Sequence, residues 1–351
     1  MKTLEEFNTF LDQRLQQELL DLEKRRIAGR NWMRRMWAAI LVPFAVFVFF
    51  LVRYSLHTAA ETAATGHNGS GSQIILMVAL VTLFTLGGYA VRYFMMKQKG
   101  ATAAVDYGPD FKEKIVRPVI GFLSPSYSYQ PLNYASYDEF TESGLFARKN
   151  YTITGNDQVY GKLGDMTFQC CDLTVTHMPL VTLRGQGPDI VFCGSYFIGQ
   201  YPRYFSTPVY ILSRSTALES WFGSGAADNG FIETWNLGKK VLPADSTFNK
   251  LFMVYAKDEN EAQQLLTPVL MEKLTQLQER SGAKLFISFY NNRVYVGISH
   301  GMDYFETTLH KSLEDRQMLK NFYLDFVSVL QLAEELQQNT TIWTSHTFSR
   351  S

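Results

Sequence analysis

Two uninterrupted apolar runs near the start of the chain constrain its fold more than any other feature of its 351 residues. The first, residues 37–52, carries no charge, and eleven of its sixteen residues are Leu, Ile, Val or Phe. At roughly −0.3 to −0.6 kcal/mol for each such residue near a helix centre, this run favours insertion into a bilayer by roughly a few kcal/mol. Trp32, Trp37 and Tyr54 are placed for the two interfaces, and lipid tolerates Pro43 inside the run. The second run, residues 74–91, has eighteen residues. As a helix it is about 27 Å long at about 1.5 Å per residue, close to the hydrocarbon thickness of a bilayer. Its Thr82 and Thr85 hydroxyls can bond back to their own helix, while Gly87 and Gly88 allow a neighbour to approach closely. A cleaved signal peptide explains the first run less well, because 36 residues precede it and no A-x-A site follows. A buried helix pair of a soluble protein leaves the absence of charge from both runs unexplained.

Basic residues flanking the runs set an orientation, since lysine and arginine beside short loops are retained on the cytoplasmic side. Lys24, Arg25, Arg26, Arg30, Arg34 and Arg35 precede the first run, Arg92, Lys97 and Lys99 follow the second, and only Arg53 lies between them. The connecting stretch is rich in Ala, Thr, Gly and Ser around Gly66, Gly69 and Gly71, the composition of a mobile linker. The expected organisation is a cytoplasmic amphipathic helix at 1–35 and a transmembrane hairpin at 36–92. The hairpin has helices near 37–54 and 74–92 and an external linker at 55–73; a cytoplasmic α+β domain at 93–351 follows. The chain is expected to cross the membrane more than once with both termini inside, and the lipid bilayer is its first expected partner.

In the N-terminal segment Leu4, Phe7, Leu11, Leu15, Leu19 and Leu22 form a stripe opposite Glu5, Glu6, Asp12, Gln16 and Glu23, which predicts a helix over residues 4–27. Such a stripe can pair with a copy of itself, with another membrane or cytoplasmic protein, or dock on the soluble domain. Its acidic residues disfavour lipid over most of its length, and only residues 24–35 have the basic character that suits anionic head groups. Lysine plus arginine equals aspartate plus glutamate at 33 each, which argues against nucleic acid as a partner. The three cysteines, Cys170, Cys171 and Cys193, include no C-x-x-C pair and fit a reducing compartment.

Beyond the membrane the pattern is mixed. Residues 110–122 read as helix interrupted at Pro118, and residues 137–146 as a short helix. Residues 159–162 and 166–175 read as a hairpin turning at Leu163, Gly164 and Asp165, with further strands at 181–183, 190–197 and 208–212 and a glycine-rich loop at 221–238. A strand at 251–255 leads to Asp258 and Glu261, a helix start in which the Asp caps amides and the Glu reaches back. Thr267-Pro268 begins a second helix ending at Gly282. A hairpin at 285–289 and 294–298 turns at Asn291-Asn292, and a helix over residues 313–338 closes the chain with Leu319, Phe322, Phe326, Val329, Leu330, Ala333 and Leu336 on one stripe. The order lacks the alternation of a doubly wound sheet, so the fold class is α+β, a mainly antiparallel sheet with helices packed on it.

Phe192-Cys193-Gly194-Ser195-Tyr196-Phe197, then Phe252-Met253-Val254-Tyr255 with Glu261-Ala262 and Leu266-Thr267-Pro268, followed by the hairpin over residues 286–298, resemble an uncharacterised bacterial family. That family is a domain of unknown function with two N-terminal transmembrane helices, and the resemblance runs over residues 4–343. It implies a bacterial cytoplasmic-membrane protein with an inward-facing domain, and it supplies no reaction and no catalytic residues.

Candidate chemistry therefore rests on the residues. Cys170 and Cys171 precede His177, and a base nearby can make a thiolate, but adjacent strand residues face opposite sides and free cysteine is commonly a small buried side chain. His300, Asp303, Glu306 and His310 form a second titratable cluster that could bind metal, although Glu306 and His310 at i and i+4 are equally a surface pair. No P-loop, G-x-G-x-x-G or G-x-S-x-G motif occurs. No catalytic, cofactor-binding or metal-binding residue is assigned. Tyr127, Tyr129, Tyr134 and Tyr137, and again Tyr196, Phe197, Tyr201, Tyr204 and Phe205, suit either a binding surface or ordinary core packing. The favoured function is a membrane-anchored binding or scaffolding module; the alternatives are an oligomeric two-helix channel and an enzyme with a site assembled from distant residues.

Overall fold

The computed structural model describes residues 2–65, 78, 81, 82, 85, 87–89, 106–146, 151–177, 189–214, 237–307, 309–339, 342 and 343, without the side chains of 58, 59, 61–65, 177 and 189. The chain divides into two compact units. A sheet unit comprises Met1–Arg14, Lys112–Glu306 and Arg316–Ser351, and a helix unit comprises Leu15–Phe111 and Thr307–Asp315.

The chain opens on helix α1 (Leu4–Phe10), where Thr3 and Glu6 form a reciprocal capping box. A π turn (Leu11–Leu15) follows, then the 50-residue helix α2 (Gln16–Thr65). The expected amphipathic stripe is used within the chain: Phe7, Leu11, Leu15, Leu19 and Leu22 are all buried. In the sheet unit Phe7 stacks on Tyr323 with ring centroids 4.3 Å apart, and Tyr323 donates its hydroxyl to the Lys2 carbonyl at 2.5 Å. The helix does not stop at residue 27, and it continues through the first apolar run into the expected linker as far as Thr65. Ala59, Ala60, Ala63 and Ala64 are strong helix formers, which explains why this half of the linker is helical. The other half, residues 66–73, lies outside the described residues.

Among the described residues one helix, Leu4–His57, is long and apolar enough to cross a membrane, and its most apolar eighteen-residue window is 0% buried. Trp37, Leu41, Val42, Phe44, Val46, Phe49, Phe50, Val52 and Leu56 are all exposed. Of the second run only Val78, Val81, Thr82, Thr85 and Gly87 to Tyr89 are described, all helical. Thr82 donates its hydroxyl to the Val78 carbonyl at 2.7 Å and Thr85 to that of Val81 at 3.0 Å, so neither hydroxyl needs water.

The helix unit adds α3 (Gly108–Phe111) to α2. In the sheet unit a π turn (Lys112–Val116) precedes α4 (Arg117–Leu123), with Pro118 at its start. Then come β1 (Ser128–Gln130), α5 (Tyr137–Glu142), β2 (Tyr151–Leu163), β3 (Met166–His177), β4 (Asp189–Gln200), β5 (Val209–Ser213) and β6 (Lys239–Val241). The chain closes with α6 (Ser246–Leu251), β7 (Phe252–Ala256), α7 (Glu259–Leu265), α8 (Pro268–Ser281), β8 (Lys284–Tyr290), β9 (Arg293–Ser299) and α9 (Gln317–Gln338). The fold is α+β, a long N-terminal helix followed by a nine-stranded sheet in the order β1-β2-β3-β4-β9-β8-β5-β7-β6 with every described pairing antiparallel.

Side chains alternate across this sheet. Phe197, Ile287, Phe289, Val294 and Val296 meet Leu270 and Leu274 of α8 and Val329, Ala333 and Leu336 of α9 on one face. Phe192, Tyr196, Phe286 and Tyr295 meet Phe140 and Phe146 on the other, with Phe140 and Phe146 stacked at 4.6 Å. The second aromatic cluster is therefore mostly core, with Tyr196, Phe197, Tyr201 and Phe205 buried and Tyr204 partly exposed. In the first cluster Tyr129 is buried while Tyr134 and Tyr137 reach the surface beside Leu132. The expected strand at 181–183 and the loop at 221–236 lie outside the described residues.

Candidate functional site

Among the described residues, the place where the sheet buries charge begins with a bulge. Between Asn156 and Val159 strand β2 carries two residues against one on β3, and Asp157 takes φ +58°, a conformation uncommon for a side chain larger than glycine. The bulge turns the Asp157 carboxylate towards Asp172, which stands on β3 directly opposite Ser195 of β4. Asp303, in the loop after β9, completes the group, and one carboxylate oxygen from each of the three lies within 4.8 Å of the others.

Donors surround them. The Ser195 hydroxyl donates to Asp172 at 2.6 Å and the Tyr304 amide at 2.9 Å. Tyr129 donates its hydroxyl to Asp157, and the Lys112 ammonium, carried on the π turn before α4, donates to the same carboxylate at 2.8 Å. Lys112 also reaches Glu306 at 3.4 Å, and the Asn156 amide donates to Glu306 at 3.1 Å. Tyr304 extends the network: its hydroxyl donates to Asp325 of α9 and lies 2.7 Å from His300 Nε2. Asp325 is 2.9 Å from His300 Nε2 and accepts from Arg280 of α8 at 2.6 Å.

Burial raises the Asp172 carboxyl well above the ordinary carboxylate range, and the negative charge of Asp303 raises it further. Burial also raises Asp157, against the pull of Lys112 and Tyr129. Asp325 goes the other way: burial opposes its charge, but His300, Tyr304 and Arg280 together hold it below its usual value. Burial works against the Lys112 charge, and Asp157 with Glu306 and Asp303 more than offsets it. Asp157, Asp172 and Asp303 are the described residues arranged to hold a cation, and the Lys112 ammonium already bonds the Asp157 carboxylate. The cavity beside this network, lined by Cys170, Ser195, Phe197, Phe322 and Asp325 among others, has a volume of 10 Å³, room for one water.

The residues singled out from the sequence are dispersed by this arrangement. Asp303 and Glu306 bind different partners, His300 turns to Asp325, and His310 is exposed in the segment Thr307–Asp315 of the helix unit. Burial raises the Cys170 and Cys171 thiols, so both stay protonated, and the side chain of His177 lies outside the described residues. Asp157, Asp172, Lys112, Arg280 and Asp325 escaped the sequence reading. Two signals were there: an aspartate in the middle of the strand Gln169-Cys170-Cys171-Asp172-Leu173, and an aspartate beside Phe326 on the apolar stripe of α9.

A carboxyl raised in the folded state binds its proton more tightly there than in the unfolded chain. Its contribution is complete below the ordinary carboxyl value and is lost as pH rises through the raised native value, at about 1.4 kcal/mol per pH unit for one proton. Asp172→Asn is expected to lessen the fall in melting temperature between pH 5 and pH 8, as measured by near-ultraviolet circular dichroism. An unchanged pH dependence in the variant counts against a raised Asp172 carboxyl.

The helix unit holds a second buried ion pair. Arg26 donates to Glu23 at 2.6 and 2.8 Å and to the Leu309 carbonyl at 2.5 Å, while Glu23 accepts from the Ser312 hydroxyl and the Leu313 amide, each at 3.0 Å. The Arg26 hydrogen bonds lower the Glu23 carboxyl to about 2, against the effect of burial.

Among known proteins, no curated protein matches the chain. The crystal structure of the mycobacterial trehalose monomycolate transport factor A, TtfA, aligns with 64% of this chain and 93% of that chain, at 11% identity and a TM-score of 0.30, a likeness too low to carry an argument. Residues 190–338, which take in the sheet unit from β4 to α9, match the family described as "Protein of unknown function (DUF3137)", so this part of the chain is similar to an uncharacterised domain family.

Proposed function

We propose that the chain is a membrane-anchored binding or scaffolding module whose α+β unit works at the cytoplasmic face of a bacterial inner membrane. The supporting observation is the exposed apolar stretch of α2: an eighteen-residue window without a buried residue is costly to leave in water and suits the hydrocarbon of a bilayer. The basic residues ahead of the first run and behind the second favour a hairpin with both ends inside. The Lys112 ammonium already bonded to the Asp157 carboxylate and the high thiols of Cys170 and Cys171 favour a binding role over catalysis. Leu132, Tyr134 and Tyr137, apolar or amphipathic and exposed side by side in sequence, are the surface from which binding is best probed.

The experiment places a photoreactive amino acid at Leu132, and separately at Lys257 as a control, in the full-length protein in its own membranes. A reproducible protein adduct from Leu132 that is absent from Lys257 supports the proposal. Irradiation that yields no reproducible adduct from Leu132 counts against it.

A further inference from the structure

The basic residues ahead of the apolar stretch of α2 divide into two groups. Lys24 pairs with Asp21 at 2.9 Å, Arg25 with Asp110, and Arg26 with Glu23. These three charges are spent inside the helix unit. Arg30, Arg34 and Arg35 come next, and among the described residues no carboxylate pairs with any of them. Arg34 and Arg35 are exposed, and Arg30 Nε is buried without an acceptor. A guanidinium with unfilled donors suits a bidentate oxyanion, and phosphate matches its geometry.

Their place on the helix says which phosphate. Arg30, Arg34, Trp37 and Leu41 follow one another at spacings of four, three and four residues, so they form a single stripe. Trp37 and Leu41 are 52% and 54% exposed, at the start of the apolar stretch. Trp37 lies about 4.5 Å along the axis from Arg34 at about 1.5 Å per residue. Cation, indole and aliphatic side chain therefore succeed one another as phosphate, interface and hydrocarbon do in a lipid leaflet. We infer that Arg30, Arg34 and Arg35 form a collar that binds the phosphodiester head groups of anionic phospholipids. The inference rests on the proposed anchoring of α2 in lipid.

The test uses the full-length protein reconstituted in vesicles of phosphatidylcholine mixed with phosphatidylglycerol, with either lipid brominated on its chains. Bromine quenches nearby tryptophan, so the ratio of quenching reports which lipid occupies the surface beside Trp32 and Trp37. The wild type is expected to prefer the anionic lipid about fivefold or more, and Arg30, Arg34 and Arg35 all changed to Gln is expected to bring the ratio to about one. Changing only the exposed Arg34→Gln and Arg35→Gln gives an intermediate ratio, all three to Lys retains most of the preference, and Lys24→Gln, which removes a charge already paired, leaves it unchanged. Equal quenching by the two lipids in the wild type overturns the collar, as does a Lys24→Gln effect as large as that of the three arginines. Absence of quenching by brominated phosphatidylcholine is a separate result: it removes the anchor itself.

Discussion

Val46→Arg with Phe49→Arg is expected to abolish insertion of the first apolar run. Both side chains are exposed in the middle of the run, at 49% and 60%, and each stands where hydrocarbon would surround it. An arginine at a helix centre opposes insertion by about 2.5–3.5 kcal/mol, and the pair opposes it by roughly 5–7 kcal/mol, more than the apolar residues of the run supply. A reporter enzyme fused at Gly69, external under the proposed topology, should then respond as cytoplasmic, whereas Val46→Leu with Phe49→Leu leaves it external. The reporter moves by several orders of magnitude in insertion equilibrium if the first run is a crossing, and does not move at all if the run serves some other purpose.

Asp325→Ala is expected to destabilise the sheet unit by roughly 2–6 kcal/mol, because it leaves the largely buried Tyr304 hydroxyl and His300 ring without their acceptor, at about 1–3 kcal/mol each. Arg280, His300 and Tyr304 converge on this one carboxylate, which is 4% exposed; Arg280 reaches solvent, whereas His300 and Tyr304 are largely buried and have little water to replace it. Asp325→Asn keeps an acceptor and should lose less. In a unit of this size about 1 kcal/mol corresponds to roughly 2–4 °C, so the alanine variant should melt several degrees or more below the wild type in detergent. An unchanged melting temperature would mean that the convergence on Asp325 contributes nothing.

How far the sequence reveals the fold depends on how local each signal is. Helix α8 announces both its ends: Thr267 accepts from the Leu270 amide, Pro268 needs no donor, and Gly282 closes the helix at φ +60°. The β8–β9 hairpin is equally local, since Asn291 takes φ +54° and the apolar residues alternate on either side. By contrast β1 and β6 have three residues each and exist only because β2 and β7 offer a free edge. No period of three residues distinguishes them from turn. The first half of β2, Tyr151 to Asn156, is likewise fixed by its register against β3 and not by its own composition.

The buried network was legible only in part for the same reason. Asp303 and Glu306 stood out as charges after the last strand, but their partners come from β2, β3 and the π turn before α4, between 131 and 194 residues away in sequence. A bulge at Asp157 creates the meeting point, and nothing near Asp157 in the sequence forecasts a residue of positive φ there. The polar residue on an apolar stripe, as at Asp325, is the signal that could have been followed further.

The most direct test of the central claim is extraction of native membranes containing the full-length protein with alkaline carbonate, which strips peripheral proteins and leaves inserted ones. Retention in the pellet, with release only by detergent, is the expected result for a chain held by the apolar stretch of α2. Recovery of the intact protein in the carbonate supernatant would contradict it.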